Sequence, residues 1–209
     1  MLESEKQKEF NDYYIKKDNA QVKWFEPYIQ PKMLDEWNNQ TLKKGISLLD
    51  VGGGFSFDNI FYASNGLQTT VLDYSKEALN KMKDLAAFYN LDIKCICGSI
   101  LEPPKEMHSQ FDVVTDNGCF HHIDPPDRSK YFTSVFSLLK KGGILYIRAM
   151  SEYVPPSTDN FLRAYRISSD DIICQEVMKN FKLLEMSLFD YVLNVRGRQK
   201  IWFIKLQRR

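Results

Sequence analysis

The sequence LDVGGGFS, residues 49–56, ends a short apolar run with three consecutive glycines. Residues 46–51 have the pattern of a β-strand and residues 56–64 that of a helix, so the glycines stand at a strand-to-helix junction. Glycine lets a ligand approach the backbone closely, and the first turn of a helix has free N–H groups. The junction therefore predicts a site for a nucleotide-type ligand, the alternative being a turn that only closes the packing.

The spacing of the glycines separates two kinds of nucleotide site. A dinucleotide fold requires Gly-x-Gly-x-x-Gly/Ala, but counted from Gly52 the last position is Phe57, whose ring would obstruct close packing of helix on strand. A Walker-type phosphate loop is excluded because no Gly-Lys-Ser/Thr occurs. The spacing therefore favours a nucleoside without a phosphate, which needs the tight turn but no pyrophosphate cradle.

Strand-like and helix-like runs alternate from residue 43 onwards, and the chain ends in two strand-like runs joined by a turn. This order predicts an α/β fold with a mostly parallel sheet, helices on both faces and an antiparallel terminal hairpin. Such sheets bind ligands at the carboxyl ends of their strands. The predicted strands are 46–51, 68–72, 93–97, 111–115, 144–149, 181–191 and 199–206, and the predicted helices are 56–64, 75–90, 128–139 and 168–179.

Residues 1–42 come before the first strand and predict an N-terminal helical cap or lid, in front of a main domain at residues 43–209. Aromatic residues recur in this segment at roughly helical spacing. The start of the chain alternates charges and lacks the apolar region of a secretory signal, and no apolar run is long enough to span a bilayer. The sequence therefore predicts a cytoplasmic protein without a membrane association.

Composition and spacing argue against two kinds of partner, nucleic acid and metal. The chain has 28 basic and 27 acidic residues, a formal net charge of +1. A dedicated nucleic-acid binder usually carries a basic excess, so none is predicted as a partner. The adjacent His121 and His122 lack a nearby carboxylate and a third ligand at a suitable spacing, so no metal site is predicted either.

An acidic residue follows the second predicted strand. Asp73 lies 19 residues after Gly54, the distance expected of an acid that binds a ribose hydroxyl. Its carboxylate can accept both vicinal hydroxyl protons, and Tyr74 can pack on the base. The alternative is that Asp73 only caps the next helix. The sequence predicts ribose binding, because the glycine turn and the acid support each other.

Four motifs along the chain carry a family resemblance: LDVGGG at 49–54, LDYS at 72–75, FDVVTDNGCFHH at 111–122 and LKKGGIL at 139–145. In this order and spacing they resemble the motifs of class I S-adenosylmethionine-dependent methyltransferases. The resemblance runs from about residue 43 to the C-terminus. It implies a Rossmann-like sheet of seven strands, mostly parallel with an antiparallel last strand. It also implies S-adenosylmethionine as cofactor and S-adenosylhomocysteine as product.

The resemblance implies which residues hold the cofactor. Asp50 and the glycines of the turn would line the methionine part of the cofactor. Asp73 would bind the ribose, and Ser99 would lie near the adenine. The segment after the fourth strand would close over the methionine end. Two positions depart from the family, since many members have glycine where Ser56 stands and Asp where Ser99 stands; a serine can still hydrogen-bond. The implied cofactor-binding residues are Asp50, Gly52, Gly53, Gly54, Asp73, Tyr74, Ser99, Ile100, Asp116 and Asn117.

The acceptor side is predicted from the loop after the fourth strand and from the N-terminal cap. Histidine titrates near neutral pH, so His121 or His122 is a candidate to remove a proton from an acceptor. The alternative is that the two histidines hydrogen-bond backbone carbonyls and shape the loop. The run FNDYY at 10–14, with Trp24, resembles the helical lid of small-molecule methyltransferases, notably of those that act on thiopurines, thiols and tellurite. The candidate acceptor-binding residues are Tyr14, Trp24, Phe120 and Arg163, for each of which packing or surface exposure is the alternative.

These observations predict an enzyme that transfers a methyl group from S-adenosylmethionine to O, S or N of a small-molecule acceptor, as a monomer or homodimer. The loop after the fourth strand lacks the Asn/Asp-Pro-Pro-Tyr/Phe sequence of enzymes that methylate nucleic-acid bases. Two alternatives stay open. One is a nicotinamide-dependent oxidoreductase on a similar fold, against which Phe57 argues, and the other is a cofactor-binding regulator without catalysis.

Overall fold

The computed structural model of the protein describes residues 3–155, 164–193 and 197–209. The chain divides into two units, Met1–Ser99 and Ile100–Arg209, and each is described in turn. The boundary at Ser99 falls inside the predicted main domain, so the division at residue 42 stays a prediction.

The first unit alternates helices and strands after an N-terminal helical segment. Its elements are α1 (Glu3–Lys16), α2 (Pro31–Asn38), β1 (Ser47–Val51), α3 (Phe57–Ser64), β2 (Gln68–Asp73), α4 (Lys76–Phe88) and β3 (Lys94–Cys97). Strand β1 pairs in parallel with β2, and β2 pairs in parallel with β3. Val51 lies opposite Leu72 in this register, and Asp73 lies opposite Cys97. The loops that follow the three strands therefore start at the same edge of the sheet.

Local sequence decides where α3 and α4 begin. Ser56 is the N-cap of α3 and its Oγ accepts from the Asp58 N–H at 3.1 Å, while the Oγ of Ser75 accepts from the Ala78 N–H at 3.2 Å at the start of α4. Such a cap stabilises a helix by about 1 kcal/mol. The apolar residues of α3 and α4 that follow these caps pack together with β2. The buried cluster contains Ile60, Val71, Leu79, Met82, Ala86 and Ile93.

The second unit holds the remaining strands and confirms the terminal hairpin. Its elements are β4 (Phe111–Asn117), α5 (Arg128–Leu138), β5 (Leu139–Met150), α6 (Gln175–Asn180), β6 (Phe181–Leu193) and β7 (Gly197–Arg208). Strand β4 is parallel to β5, whereas β7 is antiparallel to both β5 and β6. The seven strands form one sheet in the order β3-β2-β1-β4-β5-β7-β6. The predicted fold class, a mostly parallel seven-stranded sheet with an antiparallel last strand, is confirmed.

The predicted helix at residues 168–179 is confirmed only for residues 175–179 and is wrong for residues 168–174, because the helix of this region is α6 alone. Ser168 and Asp171 do form the reciprocal contacts of a helix start. The Ser168 N–H donates to Asp171 Oδ2 at 2.8 Å, and the Asp171 N–H donates to Ser168 Oγ at 3.4 Å. The Asp171 carboxylate is also paired with Arg128. The capping pattern thus marks an anchored turn, and it does not fix the length of a helix behind it.

The helices of the described residues are short. The N-terminal α1 has 14 residues, whereas a helix that spans a bilayer needs about 20 apolar residues. Within residues 3–155, 164–193 and 197–209, the structure holds no helix with both the length and the apolar character needed to cross a membrane.

Candidate functional site

The turn after β1 has a backbone that favours glycine. Gly52 and Gly54 have φ angles of +60° and +45°, in the left-handed region that disfavours other residues. A Cβ atom on Gly53 would lie 2.3 Å from Asp50 Oδ2. The Gly52 N–H donates to Leu72 O at 2.7 Å, which ties the turn to the end of β2. The three glycines therefore form a tight loop at the carboxyl end of β1.

Asp50 supports this glycine loop from its buried side. The residue is 1% exposed, and its Oδ2 accepts a hydrogen bond from Asn59 Nδ2 at 2.8 Å. The same oxygen occupies the space next to Gly53. Asp50 thus shapes the loop, and its contact with the methionine part of a cofactor stays a prediction.

Asp73 at the end of β2 joins the glycine loop to the start of α4. Its Oδ2 accepts from the Gly54 N–H at 2.9 Å, and its Oδ1 accepts from the Ser75 N–H at 2.7 Å. The alternative that Asp73 caps the next helix is wrong, because Ser75 is the N-cap of α4. Burial raises the pKa of the Asp73 carboxyl from 3.8 to about 6. The structure thus brings together the two features that the sequence singled out, the glycine turn and the acid.

The loops after β2 and β3 are joined to each other. The Gly98 N–H donates to Asp73 O at 2.9 Å. Tyr74 is half-buried, with its ring centroid 5.7 Å from that of Phe10 in α1. Ser99, the candidate adenine-side residue, directly follows Gly98 and is also half-buried. In this unit Tyr74 and Ser99 therefore stand at the same strand edge as Asp73.

The structure places two candidate acceptor residues, Tyr14 and Trp24, in an aromatic cluster of the N-terminal segment. The Tyr14 hydroxyl accepts from Trp24 Nε1 at 2.8 Å, and Trp24 stacks on Tyr13 at a centroid distance of 4.7 Å. A Cβ on Gly54 would lie 2.7 Å from the Tyr14 hydroxyl oxygen. Tyr14 thus contacts the glycine loop, which is predicted to bind the cofactor and not the acceptor.

In the second unit, Asp116 organises the loop after β4. Its Oδ1 accepts from three backbone N–H groups, those of Gly118, Cys119 and Phe120, at 2.8–3.1 Å. Its Oδ2 accepts from the Tyr131 hydroxyl at 2.7 Å. Burial raises the pKa of Asp116 to about 6. Both oxygens are therefore used to fold the loop, and the predicted contact of Asp116 with a cofactor stays a prediction.

Removing the Tyr131 hydroxyl is expected to destabilise the fold. Tyr131→Phe takes a donor from the buried Asp116 carboxylate, and a hydrogen bond to a charged group is worth about 1.5–3 kcal/mol. Because the Asp116 pKa is near 6, the loss should be larger at about pH 8, where the group is charged, than at about pH 5. Urea unfolding at both pH values measures it. An equal loss at both would show that the bond to the charged form does not matter.

The two histidines and Phe120 lie in the short turn that follows Asp116. His121 is 9% exposed, its Nδ1 accepts from the Met150 N–H at 3.4 Å and its carbonyl accepts from the Tyr165 N–H at 2.6 Å. The rings of His121 and His122 are 4.6 Å apart. These contacts position His121 in the loop, and proton transfer by either histidine stays a prediction.

Phe120 packs into the core of the second unit. Its ring lies 4.9 Å from that of Tyr131 and 5.2 Å from that of Phe132. The residue is fully buried. In this structure Phe120 therefore presents no surface to an acceptor.

Three candidate residues remain, which are Asn117, Ile100 and Arg163. Asn117 ends β4 opposite Arg148 and is half-buried, while Ile100 is buried. Arg163 lies outside the described residues. The described part of the chain contains no group of three or more His, Cys, Asp or Glu side chains arranged to hold a metal ion.

Sequence reasoning missed three polar residues that hold the loops in place. They are Asn11, which accepts from the Glu77 N–H at 3.1 Å, Asn59 beside Asp50, and Tyr131 beside Asp116. Asn11 and Tyr131 act on residues far away in sequence, where no local pattern marks them. For Tyr131, the available signal is a hydroxyl among the apolar positions of an amphipathic helix.

Part of the chain is similar to a family of known proteins. Residues 48–143 match the model of the methyltransferase domain family. Thiopurine S-methyltransferase of Oryctolagus cuniculus is 31% identical over 86 residues, which are 40% of this chain and 35% of that protein. Ubiquinone biosynthesis O-methyltransferase of Coxiella burnetii is 28% identical over 123 residues, 59% of this chain and 51% of that protein. The chain thus spans about a third to a half of the length of these curated relatives.

A solved structure extends the similarity over the whole chain. It is 1,6-didemethyltoxoflavin-N1-methyltransferase of Burkholderia thailandensis with 1,6-didemethyltoxoflavin and S-adenosylhomocysteine bound. The match has a TM-score of 0.74 at 16% identity and covers 100% of this chain and 91% of that one. At this identity the match concerns the fold. Residues 48–143 therefore match the methyltransferase domain family, and the strands form the seven-stranded Rossmann-like fold of that solved methyltransferase structure.

Proposed function

We propose that this protein transfers a methyl group from S-adenosylmethionine to a small-molecule acceptor. The observation that carries the proposal is the 2.9 Å hydrogen bond from the Gly54 N–H to Asp73 Oδ2. This hydrogen bond holds the glycine loop, which a ligand can approach closely, beside a buried carboxylate. A nucleoside ligand needs both features. The match of residues 48–143 to the methyltransferase domain family supports the same function.

The hydrogen-bonding capacity of Asp73 fits a ribose. An ionised carboxylate offers about four lone-pair positions, and the N–H groups of Gly54 and Ser75 use one position on each oxygen. One position on each oxygen then remains for the vicinal hydroxyls of a ribose. The loop at residues 49–56 contains no lysine or arginine, as suits a nucleoside without phosphate. S-adenosylmethionine is such a nucleoside.

When bound, S-adenosylmethionine supplies a methyl group already activated on a positively charged sulfur. The chain's own contribution is to bind and orient. Asp73 and the glycine loop would hold the nucleoside, with Tyr74 and Ser99 at the same strand edge on the base side. Alignment of two bound reactants contributes up to about 7–11 kcal/mol in the best intramolecular cases.

A small molecule is the proposed acceptor. The near-neutral charge of +1 argues against nucleic acid. The similar proteins are named for S, O and N methylation, respectively, of small molecules. The proposal therefore includes all three acceptor atoms.

Transfer of a labelled methyl group tests the proposed activity. The protein is incubated with S-adenosylmethionine labelled in the methyl group and a panel of thiols, phenols and heteroaromatic amines. Transfer to one acceptor class, with little transfer by Asp73→Asn, is the expected result. Binding of S-adenosylhomocysteine without transfer to any class would favour the regulator, and binding of NADH in its place would favour the oxidoreductase.

Cofactor affinity is expected to fall at acidic pH because of Asp73. The pKa of its carboxyl is raised to about 6, and only the charged form accepts from ribose hydroxyls at both oxygens. Affinity for S-adenosylhomocysteine should be level above about pH 7 and fall about tenfold per unit below the pKa. Calorimetric titrations from about pH 5 to 8 measure the profile. Asp73→Asn is the control and should lose this dependence; an unchanged profile in that variant would contradict the assignment.

A further inference from the structure

Helix α1 turns one face towards both loops of the proposed nucleoside site. Gln7, Asn11 and Tyr14 recur at helical spacing, so they share a face of the helix. Gln7 Nε2 donates to Tyr74 O at 2.8 Å. The Tyr14 hydroxyl oxygen lies where it would meet a Cβ of Gly54 at 2.7 Å. One face of α1 therefore contacts the loop after β1 and the loop after β2.

Asn11 caps helix α4 from a different element. Its Oδ1 accepts from the Glu77 N–H at 3.1 Å and from Ser75 Oγ at 3.3 Å. The Glu77 N–H belongs to the first turn of α4, where backbone donors have no partner within the helix. Ser75 in turn donates its backbone N–H to Asp73 Oδ1. Asn11 thus fixes the segment that orients the Asp73 carboxylate.

Tyr14 holds the other loop through its hydroxyl. The oxygen accepts from Trp24 Nε1 at 2.8 Å and lies against Gly54 of the glycine loop, where a Cβ would meet it at 2.7 Å. The residue is buried, and burial together with the nearby Asp73 charge raises the pKa of its phenol. The phenol therefore keeps its proton at neutral pH. Its hydroxyl lies between Trp24 of the N-terminal segment and Gly54 of the glycine loop.

We propose that α1 positions both cofactor loops, with Tyr14 and Asn11 as its positioning residues. This rests on the proposed function, because it takes the two loops to be the site for S-adenosylmethionine. The N-terminal helix is then a component of the cofactor site, and Tyr14 serves the cofactor and not the acceptor. Affinity for the cofactor depends on two side chains that no motif of the main domain includes.

A pair of neighbouring tyrosines tests the role of Tyr14. Tyr14→Phe removes the hydroxyl that accepts from Trp24 and lies against Gly54. Tyr13→Phe is the matched control, since Tyr13 is equally buried on the same helix and its hydroxyl accepts from the Lys23 N–H at 3.0 Å and donates to Gln21 O at 3.4 Å. We expect the dissociation constant for S-adenosylhomocysteine to rise about tenfold in Tyr14→Phe and less than about twofold in Tyr13→Phe. Melting temperatures measure the loss of stability in each.

A second pair tests Asn11 and also decides the matter if Tyr14→Phe does not fold. Asn11→Ala removes the acceptor for Glu77 and Ser75, whereas Asn11→Asp keeps an acceptor oxygen at the start of α4, where a negative charge is favourable. We expect about tenfold weaker binding in Asn11→Ala and near wild-type binding in Asn11→Asp.

The outcomes separate this proposal from the proposed function. If the wild-type protein does not bind S-adenosylhomocysteine, the proposed function fails and the positioning role falls with it. If the wild type binds but Tyr14→Phe weakens binding no more than Tyr13→Phe, or Asn11→Ala binds as well as Asn11→Asp, the positioning role is overturned and the proposed function stands.

Discussion

Replacing Asp73 with alanine is expected to weaken binding of S-adenosylhomocysteine roughly 10- to 150-fold at neutral pH, which corresponds to about 1.5–3 kcal/mol. The variant loses the carboxylate that would accept the ribose hydroxyls. It also loses the acceptor for the Gly54 and Ser75 N–H groups, so the glycine loop and the start of α4 are no longer held together. Isothermal titration calorimetry measures the effect directly.

Asp73→Asn tests the charge of the side chain at the same position. Asparagine keeps the size of the side chain and one acceptor oxygen, but its NH2 group would face the N–H donor of Gly54 or Ser75, so we expect a loss of affinity comparable to that in Asp73→Ala. The melting temperature of both variants is measured alongside. A lower melting temperature with an unchanged dissociation constant in both would show that Asp73 is structural and does not bind the ribose.

Placing a side chain on Gly53 is expected to remove measurable binding of S-adenosylhomocysteine. In Gly53→Ala the new Cβ would lie 2.3 Å from Asp50 Oδ2 and 2.7 Å from Asp50 Cγ. The carboxyl is buried and held by Asn59, so the loop must move away from β1. Overpacking of this kind lowers the free energy of unfolding by about 1–3 kcal/mol. Calorimetry gives the affinity and urea unfolding the stability.

Gly142→Ala is the control for the loss of a glycine as such. Gly142 has a φ angle of +78°, and a Cβ there would meet no atom within 4 Å. The variant carries backbone strain of about 1–3 kcal/mol without a clash, and its affinity for S-adenosylhomocysteine should match the wild type. Gly53→Ala that binds as tightly as this control would show that the shape of the glycine loop is not needed.

That the glycine loop and Asp73 lie at the same edge of the sheet can be predicted from sequence, because short-range rules determine it. A strand ends at Val51, glycines allow the turn, and the next parallel strand ends at Asp73. Parallel pairing with Val51 opposite Leu72 then brings the two loops to one edge. The sequence thus predicts that the glycine turn and Asp73 act together, and the structure joins them through a hydrogen bond of 2.9 Å between the Gly54 N–H and Asp73 Oδ2.

The packing of the N-terminal segment and of the turn at Ser168 could not be predicted from local sequence rules. The sequence predicts Tyr14 on the acceptor side because the run at residues 10–14 resembles the lid of small-molecule methyltransferases. Its contact with Gly54 depends on how α1 docks, which no local pattern specifies. The capping pattern at Ser168 likewise predicted a helix, but tertiary pairing of Asp171 with Arg128 anchors only a turn.

Calorimetric titration of the wild-type protein with S-adenosylhomocysteine and, in parallel, with NADH tests the central claim most directly. We predict binding of S-adenosylhomocysteine at a single site that weakens below about pH 6 as Asp73 is protonated, and no binding of NADH. Binding of NADH, or no binding of S-adenosylhomocysteine, would contradict the assignment of the glycine loop and Asp73 to this cofactor.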